Sequence, residues 1–242
     1  MTPGEHGASG SGAPLPPLTA TPLGASVLPA GALVRVVAAP PPLQLLSILY
    51  GPDDQAALTA LAATDPVLRR ELGGVHLVQP SDWPHGPGAG WVLAPFVRVP
   101  SPATASRFSD GSYGVWYGSE TLATAQAEVG HHLSAYLART SASPGTIPRT
   151  VLRAVPNLAC PVIDLRSPAP VPSGVLAKSS YAASQPFGAA CRKAQQWGIV
   201  WPSVRRADGT CVAVLRPPVL VACDVLVQCH ALWDGRAITW AS

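Results

Sequence analysis

The sequence predicts an α+β domain built on a mixed, mostly antiparallel sheet flanked by helices. Three observations lead there. Short apolar and β-branched runs outnumber helical stretches. The two kinds do not alternate in the regular order of a doubly wound parallel sheet. And Asp234-Gly235 stands between two strand-like runs as a two-residue hairpin signal.

Residues 1–29 read as a disordered leader: the first 28 hold five Gly, five Pro and a single acid, Glu5, and cannot bury a core. One domain then spans 30–242. ALVRVVA (32–38) is the first strand. Asp53 or Asp54 can cap a helix through Ala62, and Asp65 with Pro66 opens a short one that Gly73 closes. VHLV (75–78) is a strand candidate, and the Pro- and Gly-rich stretch 79–105 reads as a long ordered loop. GVWYG (114–118) is a strand with Val115 and Tyr117 on one face and Trp116 on the other. Ser119 is the expected N-cap of a helix running to about Arg139, with an apolar stripe of Leu122, Ala125, Val129, Leu133 and Tyr136/Leu137. RTVLRAV (149–155) and VIDL (162–165) are strands. Ser184 should cap a helix with Pro186 in its first turn, ending near Trp197 and Gly198. GIVW (198–201), TCVAVLR (210–216) and Val225–Leu232 are strands, the last paired with RAITW.

Charged residues make up only 12% of the 242 residues, against a usual ~25%, so a charge inside a structured segment is informative. A net charge of +3 with no basic run longer than a pair argues against direct nucleic-acid binding. No apolar window is long and uninterrupted enough to span a bilayer. The N-terminus has neither the basic nor the apolar region of a secretory signal. Five cysteines without a CxxC pair read as buried free thiols, and a cytoplasmic location is expected. The adjacent His131 and His132 diverge by about 100° on a helix and read as partly exposed polar residues. There is no HExxH, P-loop or strand-linked GxGxxG, so no metal and no bound cofactor are expected.

Four residues draw attention by position. Glu128 lies at the border of a helical apolar stripe. There a carboxylate can stabilise an oxocarbenium ion during N-glycosidic cleavage, act as a general base, or simply be solvated. Arg107, in a turn-rich segment, suits bidentate phosphate binding or a structural ion pair. Tyr117 is a core residue or a stacking surface for a planar ring. Ser203 follows Pro202 at a strand end. It lacks the G-x-S-x-G of a nucleophile elbow, so a serine hydrolase is disfavoured and a turn or pocket hydroxyl is left.

These residues stand in an order that resembles the RES-domain family, named for its Arg, Glu and Ser. The family pattern has an Arg-Phe turn, a strand ending in Tyr, a Thr-Ala-x-Ala-Glu helix start, and a later Gly-Ile-x-[Tyr/Trp]-Pro-Ser-x-Arg. Here these are Arg107-Phe108, Trp116-Tyr117, Thr124–Glu128 and Gly198–Arg205, preceded by an L-x-R-V strand at Leu33–Val36. Trp201 replaces the commoner Tyr, and 79–105 shows no alignable pattern. The resemblance implies an ADP-ribosyltransferase-like domain and a toxin that degrades NAD⁺ by hydrolysis or phosphorolysis of the nicotinamide–ribose bond. NAD⁺ is then substrate, with inorganic phosphate as a conceivable co-substrate. An Xre-type helix-turn-helix antitoxin is the implied partner, and a homodimer is compatible with it. Arg107 would bind the phosphates, assisted by Arg35. Tyr117 would stack on the nicotinamide side, Glu128 would stabilise the ribosyl cation, and Ser203 would hydrogen-bond in the pocket. The alternatives are a mono-ADP-ribosyltransferase acting on a protein and a binding module that has lost activity.

Overall fold

A computed structural model describes residues 25–38, 77–98, 100–167 and 170–241, together with residues 60 and 64. Its strands are β1 (Ala25–Ser26), β2 (Leu33–Ala38), β3 (Trp116–Ser119), β4 (Gly145–Pro156), β5 (Val162–Asp164), β6 (Gly198–Pro202), β7 (Thr210–Val214), β8 (Leu220–Trp233) and β9 (Ile238–Ala241). Its helices are α1 (Ala89–Leu93), α2 (Leu122–Arg139) and α3 (Ser184–Lys193). Among the described residues the strands form one sheet in the order β1-β5-β6-β7-β3-β2-β4-β8-β9. Every neighbouring pair is antiparallel except β5–β6. A parallel pair needs a long crossover, and the segment containing α3 supplies it. The expected class, α+β with a mixed and mostly antiparallel sheet, is the one observed.

Period-2 alternation decides what each strand face meets. Trp116 is fully buried in a cluster with Leu33, Leu93, Leu152 and Val212, while Val115 and Tyr117 pack on the opposite side with Phe108, Phe187 and Trp201. A third cluster seats α2 on the sheet through Val36, Ala125, Val151 and Cys229. Between β2 and β3 the sheet narrows to one residue pair, Val34↔Ser119, whereas β2 pairs with β4 along its whole length. The site lies over that narrowing.

Several expectations need correction. Residues 25–29 belong to the fold and not to a leader: Ala25 and Ser26 pair with β5, and Leu28 is buried in the first cluster. The earlier leader residues and the body of the two helices expected over 53–73 fall outside the described residues. Leu77 and Val78 are not in a strand. The expected loop 79–105 is built of short helical pieces, Pro80–Asp82, α1 and Pro102–Thr104. Buried Val92, Leu93 and Phe96 give this stretch its own apolar anchor. Thr121, not Ser119, caps α2, its Oγ1 accepting from the Thr124 N–H at 3.2 Å, because Ser119 is still paired in β3. Ser184 is the first residue of α3 and not its cap; its hydroxyl donates to the Tyr181 carbonyl. That helix stops at Lys193, where Gln195 takes a left-handed φ of 54° and Gln196 N–H closes onto the Cys191 carbonyl. The terminal hairpin pairs Trp233 with Ile238, so its loop has four residues, organised by Asp234 accepting from the N–H groups of Arg236 and Ala237.

Candidate active site

The floor of the site is one register row. Trp201 on β6 lies opposite Cys211 on β7, Cys211 opposite Ser119 on β3, and Ser119 opposite Val34 on β2. All four line a cavity of about 310 Å³. One helix face roofs it: Ala125, Glu128, Val129 and His132, at the i, i+3, i+4, i+7 spacing of a single face. Arg35, Arg107, Tyr117 and Tyr181 complete the walls.

Arg107 sits in a two-residue turn closed by the bridge Ser106↔Ser109. The next residue holds the turn. Phe108 is fully buried, edge-on to Trp201 at 5.0 Å between centroids and tilted against Phe187 at 6.3 Å. A Cβ on Gly188 of α3 would lie 2.2 Å from the Phe108 carbonyl oxygen, so only glycine permits this approach. The Tyr117 hydroxyl meets Ser106 Oγ at 2.8 Å and accepts from the Phe108 N–H at 3.0 Å. The tyrosine therefore borders the cavity with its ring and braces the arginine turn with its oxygen. Burial, more than any other influence, pushes its hydroxyl up to about 12, so it stays neutral.

Arg107 is only 6% exposed. Its Nη1 donates to the carbonyls of Val175 and Ala177 at 3.2 and 3.0 Å, and the Tyr181 ring packs on it at 5.1 Å. Arg35 stacks on Trp116 at 5.2 Å, with its Nη1 buried and without a hydrogen-bond partner among the described residues. Burial, with Arg98 second, lowers Arg35 to about 10, which still leaves it charged at neutral pH. Among the described residues neither arginine has an acidic partner, whereas Arg153, Arg166 and Arg216 each do.

Glu128 is held differently. Its Oε1 accepts from the Ser203 hydroxyl at 2.6 Å and from the Cys211 thiol at 3.5 Å. Ser203 in turn accepts from the N–H groups of Arg205 and Arg206 at 3.1 Å each, which orients its O–H toward the carboxylate. Ser203 thus stands behind Glu128 and does not itself line the cavity.

The fold therefore brings Arg35, Arg107, Tyr117 and Glu128 around one cavity, with Ser203 bound to the last. Sequence reasoning passed over Cys211, Tyr181 and the cavity-facing side of His132. His132 is exposed, as the sequence suggested, but its Nε2 also contacts the Tyr181 hydroxyl at 3.4 Å. Its i+4 offset from Glu128 was a usable signal. Tyr181, in a Ser/Ala-rich connection, carried none. No group of three or more His, Cys, Asp or Glu among the described residues is placed to hold a metal. No described helix is long and apolar enough to cross a membrane.

Chemically, the cavity offers two arginines without acidic partners among the described residues, a positioned carboxylate and aromatic walls. That suits an anionic substrate carrying a planar ring and developing positive charge near the carboxylate.

The RES domain family matches residues 81–234. No curated protein matches the chain. A solved structure, described as the M. tuberculosis MbcT-MbcA toxin-antitoxin complex, is similar at 11% identity and a TM-score of 0.40, over 84% of this chain and 87% of that one.

Proposed function

The chain belongs to the RES-domain family, and from that premise we propose that it is a toxin that breaks the nicotinamide–ribose bond of NAD⁺ and is neutralised by an Xre-type antitoxin. The observation that carries this reading is the set of charges around one cavity: Glu128 with its Oε1 held by two hydrogen bonds, and Arg107 and Arg35 without acidic partners among the described residues.

Arg107 and Arg35 neutralise the diphosphate, which supplies the negative charge that no described carboxylate gives them. The Tyr117 ring supports the nicotinamide side. As the C1′–N bond breaks, its electron pair leaves with neutral nicotinamide and positive charge develops on the ribose. Glu128 interacts more strongly with that cation than with the ground state, so its charge lowers the barrier. Ser203 holds the carboxylate in place. Water then captures C1′ and releases a proton, giving ADP-ribose, or inorganic phosphate captures it in a phosphorolysis.

The test is release of free nicotinamide from NAD⁺ by purified protein, with water alone, with added phosphate and with candidate protein acceptors. Cleavage that requires a protein acceptor would instead identify a mono-ADP-ribosyltransferase. Intact NAD⁺ in all three arms, with Glu128→Gln indistinguishable from the wild type, would leave a binding module. Growth arrest on induction without the antitoxin, absent in Glu128→Gln, is the cellular counterpart.

A further inference from the structure

Glu128 is held by more than its serine. Cys211 lies in the cavity floor between Trp201 and Ser119, 2% exposed, with Sγ 3.5 Å from Glu128 Oε1 and 3.8 Å from Ser119 Oγ. The register that places Cys211 opposite both Trp201 and Ser119 fixes its side chain on the cavity side of β7. Burial foremost, then the Glu128 charge, pushes the thiol up to about 12. A thiol that stays protonated toward a carboxylate is a hydrogen-bond donor and not a nucleophile. With its S–H given to Oε1, its sulfur is free to accept the Ser119 hydroxyl. Cys191 and Cys223 are as deeply buried and as strongly raised, yet neither donates to a carboxylate in the described structure. Burial alone therefore does not distinguish Cys211; the contact with Glu128 does.

We propose that Cys211 is a positioning residue for the reaction, donating its S–H to Glu128 Oε1 with Ser119 behind it, so that Oε2 is the oxygen presented to the reacting ribose. Two neighbouring donors to the same oxygen, Ser203 beyond the end of β6 and Cys211 on β7, fix the rotation of the carboxylate about its last bond. No described hydrogen bond takes Oε2. The kinetic part of this inference rests on the NAD⁺ reading; the donor contact does not.

Two measurements test it. The S–H stretching band of Cys211, isolated by difference between wild type and Cys211→Ser, should lie below that of a free thiol and move up in Glu128→Ala. This reports donation whether or not NAD⁺ is cleaved. In nicotinamide release, Cys211→Val, which keeps bulk and removes the donor, should lower kcat about three- to tenfold with KM unchanged, and Cys211→Ser should restore most of it. A Cys211 band insensitive to Glu128→Ala overturns the proposal, as do Val and Ser variants with equal kcat. If wild-type protein releases no nicotinamide, the functional reading fails and the vibrational result alone decides the contact. The same result decides it if Cys211→Val does not fold.

Discussion

Two arginines in this molecule lie on tryptophans against the same apolar cluster, and they are completed differently. Arg216 stacks on Trp197 at 4.1 Å and binds Asp82 through two hydrogen bonds of 2.8 Å. Arg35 stacks on Trp116 at 5.2 Å and has no carboxylate among the described residues. The first is a closed structural pair, each charge answered inside the fold. The second is half of a pair, and it opens into a cavity that already holds another such cation, Arg107. A partly buried charge left uncompensated costs stability. A fold retains one where an external anion supplies the other half.

The largest expected effect lies at Glu128, which lines the same cavity. Glu128→Gln should reduce nicotinamide release by a factor on the order of 10²–10³ while leaving substrate binding nearly intact, since charge is needed only as the ribosyl cation forms. An equal rise in KM would show that Glu128 and the arginines are not divided into catalysis and binding.

The arginine contrast itself is tested by Arg35→Met and Arg216→Met. Arg35→Met should raise KM about tenfold or more, with a melting temperature unchanged or higher, because an unpaired charge has been removed. Arg216→Met should leave KM alone and lower stability by about 2–3 kcal/mol, a fall of roughly 5–10 °C for a domain of this size, because Asp82 is left buried without its partner. Reversal of these outcomes would abolish the distinction.

Ser203→Ala comes next. It should lower kcat about tenfold through loss of Glu128 orientation, with KM little changed. Gly209→Ala should act in the same direction without touching the hydroxyl, since a Cβ there would lie 2.8 Å from Thr124 and 3.1 Å from the Ser203 Cβ.

The smallest effect concerns pH. Burial, with His131 second, lowers His132 below its ordinary value of 6.5, so the folded state takes up a proton less readily than the unfolded chain. The stability linked to it is present above about 6.5 and is lost as the pH falls through the lowered value. Thermal melting between pH 8 and 5 should show a steeper decline in the wild type than in His132→Gln, modest because the residue is exposed.

Much of the scaffold was legible because its signals are local. Alternation in GVWYG placed Trp116 and Tyr117 on opposite faces, and the 3.6-residue period from Leu122 to Leu137 gave α2 its length and its sheet-facing side. Caps were less legible. Ser119 has the chemistry of an N-cap, but pairing with Val34 and Cys211 kept it in the strand and left the role to Thr121. The hairpin type was misread for a similar reason: Asp234-Gly235 is a strong turn signal, yet the strand register ends at Trp233↔Ile238 and widens the loop.

The sequence by itself determined the α+β class, most of the strands and both longer helices after residue 114, and the delivery of Arg107, Tyr117 and Glu128 from a turn, a strand and a helix. It also placed Ser203 at a strand end. Tertiary structure decided what these groups do to one another. The Ser203–Glu128, Cys211–Glu128 and Arg216–Asp82 contacts join residues 75, 83 and 134 positions apart. Which arginine is neutralised, which thiol meets a carboxylate and which oxygen of Glu128 stays open all depend on sheet register and through-space neighbours. Periodicity and capping act over a few residues and carry no information about pairings of that length, whereas electrostatics and hydrogen bonding depend only on final distance.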